Sequence, residues 1–233
     1  DISAGPLVKL WGFFKRQGRY PESSEITATL ESVGSEFLEL DAENSTVRFT
    51  RPGMALNLGS IGKGYALDRC AELLEASGVS AFLFHGGQSS ILARGSRGED
   101  QEAGEGTPWS VALRHPLRQD RRLAELALRD RAVGTSGAGQ QFFYHRGRRY
   151  GHVIDPRTGM PAEGVLSATV LAPTAALADA MATTFFVMGV EATHAYCEEH
   201  PELAVVFVLP GKRQGTVAIE TIGAEDVVQL LDE

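Results

Sequence analysis

Two stretches of this chain repeat one layout, and that layout limits the folds open to it. Residues 55–85 read as strand, glycine loop, helix and strand, and residues 166–209 read the same way. In the first, Ala55-Leu56-Asn57-Leu58 opens into Gly59-Ser60-Ile61-Gly62-Lys63-Gly64. A helix then spans 65–77, with Ala66, Cys70, Leu73 and Leu74 inward and Gly78 as its C-cap, before an apolar strand at 80–85. In the second, a strand at 166–171 meets Ala172-Pro173-Thr174, a helix fills 175–188, and a strand returns at 204–209. The two share a layout and no residue-level repeat. Each brings a helix start toward a strand end, where backbone N–H groups and the helix dipole favour anions.

The remaining segments fit an α+β fold. Residues 6–20 read as an amphipathic helix with Leu7, Leu10, Trp11 and Phe14 on one face. A second helix covers 24–33, N-capped by Ser23 or Ser24. Alternating residues at 37–41 and 46–50 predict a hairpin, and 109–115 and 123–129 alternate as strands. Residues 95–108 are rich in Gly, Glu and Asp and read as a solvated loop, and 132–134 and 140–145 flank a turn at Thr135-Ser136-Gly137. The expected architecture is one unit of mixed or antiparallel sheets with helices packed on them. No linker composition cuts the chain in two.

Composition excludes some functions and sharpens others. The net charge of −8 argues against a nucleic-acid binder. An acidic protein that binds a pyrophosphate needs local positive charge from Lys, Arg, a helix N-terminus or a divalent metal. Cys70 and Cys197 fit no zinc or CxxC spacing, and Cys70 reads as a buried free thiol. No run of 18 or more apolar residues is present. The chain opens at Asp1 without a methionine, which reads as a fragment lacking its true N-terminus.

Three motifs concentrate the chemistry: Thr135-Ser136-Gly137, Gly151-His152-Val153-Ile154-Asp155-Pro156-Arg157-Thr158-Gly159, and Ala178-Asp179-Ala180-Met181-Ala182-Thr183 before Val187-Met188-Gly189. Asp179 and Thr183 share a helix face at i, i+4 and can coordinate a hard cation such as Mg²⁺. They equally suit a dipole-complementing Asp and a back-bonding Thr. The loop 59–64 can cradle a phosphate with Lys63 supplying charge, or simply join strand to helix. It is no Walker A loop, because its glycine spacing differs and no Ser or Thr follows the lysine. His152 near Asp155 suits a general base or a structural histidine, and Asp155-Pro-Arg-Thr-Gly159 has the composition of a β-turn that Asp155 can cap. The Thr-Ser-Gly turn can aim hydroxyls at a ligand. No Gly-x-Ser-x-Gly elbow, dinucleotide fingerprint or zinc pattern appears.

These motifs, preceded by the blocks 1–13 and 56–68, resemble in order and spacing the ApbE-type FAD:protein FMN transferases over nearly the whole chain. The resemblance implies cleavage of FAD at its pyrophosphate with Mg²⁺, transfer of FMN to a threonine hydroxyl of an acceptor flavoprotein, and release of AMP. It implies a metal site at Asp179, Thr183 and the Ser60 backbone, and FAD contacts near Asp1, Asn57, Lys63 and Ile154. It assigns to His152 the activation of the acceptor hydroxyl. Two positions depart from the pattern: many members carry Asp where this chain has Asn57, and some carry a second Asp where Ala182 stands. Members usually have a further N-terminal region, so residues 1–233 read as an ApbE-like domain lacking that portion. The family suggests an exported or periplasmic, membrane-associated lipoprotein, with the cytoplasm as the other location. Two other functions stay open: FAD hydrolysis to FMN and AMP, and flavin binding without catalysis.

Overall fold

A computed structural model describes residues 1–98, 106–118, 120–139, 141–213 and 215–231, so part of the loop expected at 95–108 lies outside the described residues. The helices are α1 (Gly5–Leu10), α2 (Ser23–Leu30), α3 (Gly62–Ala76), α4 (Ala175–Met188) and α5 (Val190–Glu199). The first strands are β1 (Leu38–Asp41), β2 (Thr46–Phe49), β3 (Phe82–His85), β4 (Ser90–Arg94), β5 (Trp109–Arg114), β6 (Arg122–Leu128) and β7 (Ala132–Gly137). Then come β8 (Phe142–His145), β9 (Arg148–Gly151), β10 (Ser167–Ala172), β11 (Ala204–Pro210), β12 (Val217–Ile222) and β13 (Val228–Leu230). Every strand ladder among the described residues is antiparallel, in keeping with the α+β expectation. The chain divides into two compact units, residues 1–58 with 138–163 and residues 59–137 with 164–233. Each unit is assembled from two separate stretches, so no single linker in the sequence marks the division.

The first unit is built on aromatic packing. Leu7, Trp11, Phe13, Ile26, Val33, Tyr150 and Ile154 form its core. The Trp11 ring lies 5.9 Å from Tyr150 and edge-on to Tyr20 at 5.3 Å. The helix expected over 6–20 stops at Leu10, because Gly12 takes a left-handed φ of 76° and a 3-10 turn follows at Phe13–Lys15. Leu7 and Trp11 are buried as expected, but that break turns Phe13 inward and leaves Phe14 80% exposed. The N-cap of α2 is Glu22, not Ser23 or Ser24: Glu22 and Glu25 satisfy each other's backbone N–H groups in a capping box. The strand expected at 55–58 reduces to one parallel bridge between Ala55 and Ala4.

The Trp11 indole also holds a turn. Its Nε1–H donates to the Gly159 carbonyl at 2.8 Å in a buried position. Trp11→Phe keeps a ring and removes the donor, leaving that carbonyl without its partner. We expect a loss of about 1–3 kcal/mol in urea unfolding, and an unchanged midpoint would show that the bond contributes nothing.

The second unit carries a six-stranded sheet in the order β12-β11-β10-β7-β4-β3 and a three-stranded sheet β13-β6-β5. Leu126, Leu128, Val133, Leu171 and Val206 meet in its core cluster. β10 is buried along its whole length, as is most of β11. Such strands read as continuous apolar runs because both faces are covered. Thr135-Ser136-Gly137 is not a turn: it completes β7, paired with β10 from Ala132–Ala172 to Gly137–Ser167. The buried positions of α3 are Gly64, Leu67 and Ala71; Ala66 is exposed, Cys70 is only half-buried and Leu73 is 70% exposed. Gly64 sets this rotation, since a Cβ there would overlap the Ala175 backbone. Thr174 caps α4, and Gly189 at φ 79° separates α4 from α5, a helix absent from the sequence reading.

Candidate functional site

In the second unit, register and helix pitch place the polar groups. Ser90 of β4 stands opposite Gly134 of β7. A Cβ at Gly134 would overlap the Ala178 carbonyl, so α4 crosses the sheet closely at this residue. Asp179, the next residue, therefore lies over Ser90, whose hydroxyl donates to Asp179 Oδ1 at 2.6 Å. Four residues along α4 is about 6 Å and two residues along β7 is about 6.6 Å. The match brings Thr183 to Ser136, with their hydroxyl oxygens 2.7 Å apart.

Helix α3 supplies the other partners of Asp179. The Gly64 N–H donates to Oδ2 at 2.9 Å, and Lys63 Nζ lies 3.5 Å from the same oxygen. Asp179 is 4% exposed, and a buried carboxylate requires this company. The Lys63 side chain keeps 44% of its surface exposed and also donates to the Gly59 carbonyl at 3.3 Å. Its charge thus serves Asp179 and remains accessible to a solvent-borne anion. Ser60 stands in the turn just before α3.

Sequence reasoning missed Asp68 and Ser90. Asp68 accepts from the N–H groups of Ala175 and Ala176, both at 2.8 Å, and so caps α4 from α3. Its only signal was an acidic residue one turn after Gly64 on a partly buried face. Ser90 gave no signal, because its partner lies 89 residues away.

The close crossing at Gly134 can be tested directly. Gly134→Ala should push α4 off β7 and cost about 1–3 kcal/mol in unfolding free energy, as overpacking does. It should also weaken the Asp179–Ser90 contact. An unchanged unfolding midpoint would count against this packing.

The first unit holds the other predicted residues. Asp1 accepts from the Ser3 N–H at 2.8 Å and the Ser35 N–H at 3.1 Å. The Asn57 N–H donates to the Ile2 carbonyl at 2.7 Å, which sets Asn57 beside the Asp1 segment. The Ile154 side chain is core, and its backbone bridges Pro161. His152 is half-buried and edge-on to Phe13 at 6.4 Å. Its Nδ1 lies 3.2 Å from the Gln141 carbonyl, which also accepts the His152 backbone N–H. A carbonyl only accepts, so Nδ1 carries the proton of the neutral ring and Nε2 presents the lone pair.

Asp155 caps its turn, as the composition suggested. It accepts from the Arg157 N–H at 2.9 Å and pairs through both oxygens with the Arg157 guanidinium. Burial pushes its carboxyl up, but hydrogen bonds from Arg157 and the charge of that side chain outweigh it and hold the group below the ordinary carboxylate range.

The donor set suits a hard cation. Among the described residues no three or more His, Cys, Asp or Glu side chains converge on a metal position. A cation at Asp179 would draw on its carboxylate, on hydroxyl oxygens such as that of Ser90 and on ligand oxygens, which is the preference of Mg²⁺. Among the described residues no helix is long and apolar enough to cross a membrane.

The chain as a whole is similar to known proteins. Residues 1–207 match the family described as the ApbE family. The chain is 36% identical over 197 residues to the FAD:protein FMN transferase of Escherichia coli K12, covering 82% of this chain and 54% of that protein. It is 35% identical over 237 residues to the enzyme of the same name from Treponema pallidum, covering 98% of this chain and 64% of that one. It thus spans roughly half to two thirds of these relatives' length. The crystal structure of the ApbE protein of Thermotoga maritima superimposes with a TM-score of 0.83 at 30% identity, over 97% of this chain and 70% of that one. The flavin transferase ApbE of Vibrio cholerae gives 0.78 at 28%, over 97% and 70%.

Proposed function

Because this chain belongs to the ApbE family, we propose that the protein it represents is a transferase that moves the FMN portion of FAD onto a threonine hydroxyl of an acceptor flavoprotein. The structural observation that supports this reading is the buried Asp179 carboxylate of α4, held by the Ser90 hydroxyl and the Gly64 N–H with Lys63 at its edge. An acidic protein that handles a pyrophosphate needs a position of this kind.

The roles follow from the chemistry of each group. The acceptor oxygen attacks the phosphorus on the FMN side of the pyrophosphate. A bond from threonine Oγ to phosphorus forms, the bond to the bridging oxygen breaks, and AMP leaves with that oxygen. His152 takes the hydroxyl proton on Nε2, while its Nδ1–H stays on the Gln141 carbonyl. Lys63 lends positive charge to phosphate oxygens. Asp179, Thr183 and the Ser60 carbonyl would hold Mg²⁺, which would offset negative charge on the pyrophosphate. Asp1, Asn57 and the backbone near Ile154 would receive the rest of FAD.

The test is incubation of the full-length protein with FAD, Mg²⁺ and a threonine-bearing flavoprotein, reading acceptor mass and AMP together. Transfer adds the FMN mass to the acceptor and releases one AMP per addition. AMP and FMN without an acceptor adduct would mean hydrolysis, and bound, intact FAD would mean a flavin-binding protein.

A further inference from the structure

The hairpin that leads into His152 differs in charge from the rest of the chain. Residues 142–151 contain Arg146, Arg148 and Arg149 and no acidic residue, whereas the whole chain carries −8. Its side chains alternate. Phe143 and His145 turn inward, onto Tyr150 at 5.6 Å and Tyr20 at 4.6 Å. Phe142 and Tyr144 turn outward, 41% and 67% exposed, with their rings edge-on at 5.7 Å. The Arg149 guanidinium lies 4.0 Å above the Phe142 ring. The result is a firmly backed ridge of aromatic rings and cations.

The tip adds a second observation. Arg146 and Gly147 form a two-residue turn with φ of 49° and 78°. Both values are left-handed, and Asn-Gly is the pair that favours them. An arginine there costs local stability and places a cation at the apex. Glu163 already neutralises Arg148 at 2.5 Å, whereas the half-buried Arg149 donates to the Ala138 carbonyl, a neutral partner, so Arg146 and Arg149 are the unneutralised charges of the ridge. Exposed Tyr, Phe and Arg are the side chains that most often anchor protein interfaces.

We propose that the outward face of β8–β9, with Phe142, Tyr144, Arg146 and Arg149, docks an acidic, extended segment of the acceptor protein next to its reacting hydroxyl. The choice of occupant follows from charge complementarity and from position. β9 ends at Gly151, paired with Phe142, and the next residue is His152. Carboxylates of the segment would meet Arg146 and Arg149, and its backbone and apolar groups would lie on the two rings. This rests on the reading that the acceptor is a protein.

Binding can be measured without FAD. A fluorescent peptide with Asp and Glu flanking one threonine, and the same peptide with Asn and Gln instead, would be titrated with the full chain and followed by anisotropy. The acidic peptide should bind about tenfold more tightly, with an advantage that shrinks as salt rises. Arg146→Asn keeps the turn conformation and removes the charge, and Tyr144→Ala removes an exposed ring. Each should weaken the acidic peptide about three- to tenfold with an unchanged circular-dichroism melt. Equal affinity for the two peptides, or unaltered affinity in both variants, would overturn the proposal. So would tighter binding of single-stranded oligothymidylate, or self-association in sedimentation that both variants abolish. If the peptide binds as stated but FMN never reaches a protein, the transfer reading fails and the docking surface stands. If transfer proceeds with an unchanged KM for the acceptor in both variants, the surface fails and the transfer reading stands.

Discussion

Under the proposed transfer reaction, Asp179→Asn should reduce Mg²⁺-dependent FAD cleavage by about 10³-fold or more. Metal-assisted stabilisation of phosphoryl charge contributes several kcal/mol, and each 1.4 kcal/mol is roughly tenfold in rate. Asn retains one oxygen acceptor, so Ser90 or Gly64 keeps a partner and most of the fold survives. Asp179→Ala is different: it strands the Ser90 hydroxyl and the Gly64 N–H, which now donate at 2.6 and 2.9 Å. That should cost about 1–3 kcal/mol for each donor left buried without an acceptor. The pair of variants separates two roles. Loss of the Mg²⁺-induced rise in melting temperature in Asp179→Asn, with a near wild-type melt without metal, is the signature of a ligand. Full Mg²⁺ response in Asp179→Asn would make Asp179 a purely structural clamp between α3 and α4.

That clamp shows which parts of the site the sequence disclosed. The i, i+4 spacing of Asp179 and Thr183 was legible because a helix converts spacing into a shared face. Their partners were not, because strand register decides them. Ser136 meets Thr183 only because Thr135-Ser136-Gly137 is strand rather than turn. A single polar triplet with a glycine at its end carries no local sign of which it is. Gly134 and Gly64 are the residues that let helix backbones approach, and neither differs in sequence from an ordinary loop glycine. The same holds in the first unit. Gly12 ends α1 early and moves Phe13 rather than Phe14 into the core, a change that amphipathic spacing over 6–20 cannot foresee. The strong apolar runs at β10 and β11 and the Ala-rich α4 were placed nearly to the residue. There the local propensity and the tertiary environment agree.

The departures at Asn57 and Ala182 take on different weights in the structure. Ala182 is fully buried on α4, so an Asp there would bring a second carboxylate into the interior of this unit. The existing cluster already balances one buried carboxylate with two neutral donors and one lysine. At Asn57 the backbone N–H donates to the Ile2 carbonyl, an interaction that Asp in the same place would keep. Changing Asn57 alters charge near the Asp1 segment and leaves this bond in place.

His152→Ala should lower FMN transfer by about 10²–10⁴-fold while FAD binding persists, the range a general base contributes. The geometry gives the reason. With Nδ1–H on the Gln141 carbonyl, the ring is held in the tautomer whose Nε2 accepts a proton. Two features keep it in place: the Gln141 carbonyl also takes the His152 N–H, and the Gln141 side-chain amide donates to the Phe13 carbonyl at 2.7 Å. Protonation of the ring removes the Nε2 lone pair, so a general-base role predicts an acid limb in the pH profile of wild-type transfer. In His152→Ala that acid limb should vanish, and the remaining slow rate should rise with hydroxide as water or solvent base takes over. A base lost in this way should lower kcat with little effect on the FAD dissociation constant, measured by flavin fluorescence quenching. A wild-type rate and an unchanged acid limb in His152→Ala would make the histidine a structural partner of Gln141 and Phe13, with another group receiving the proton.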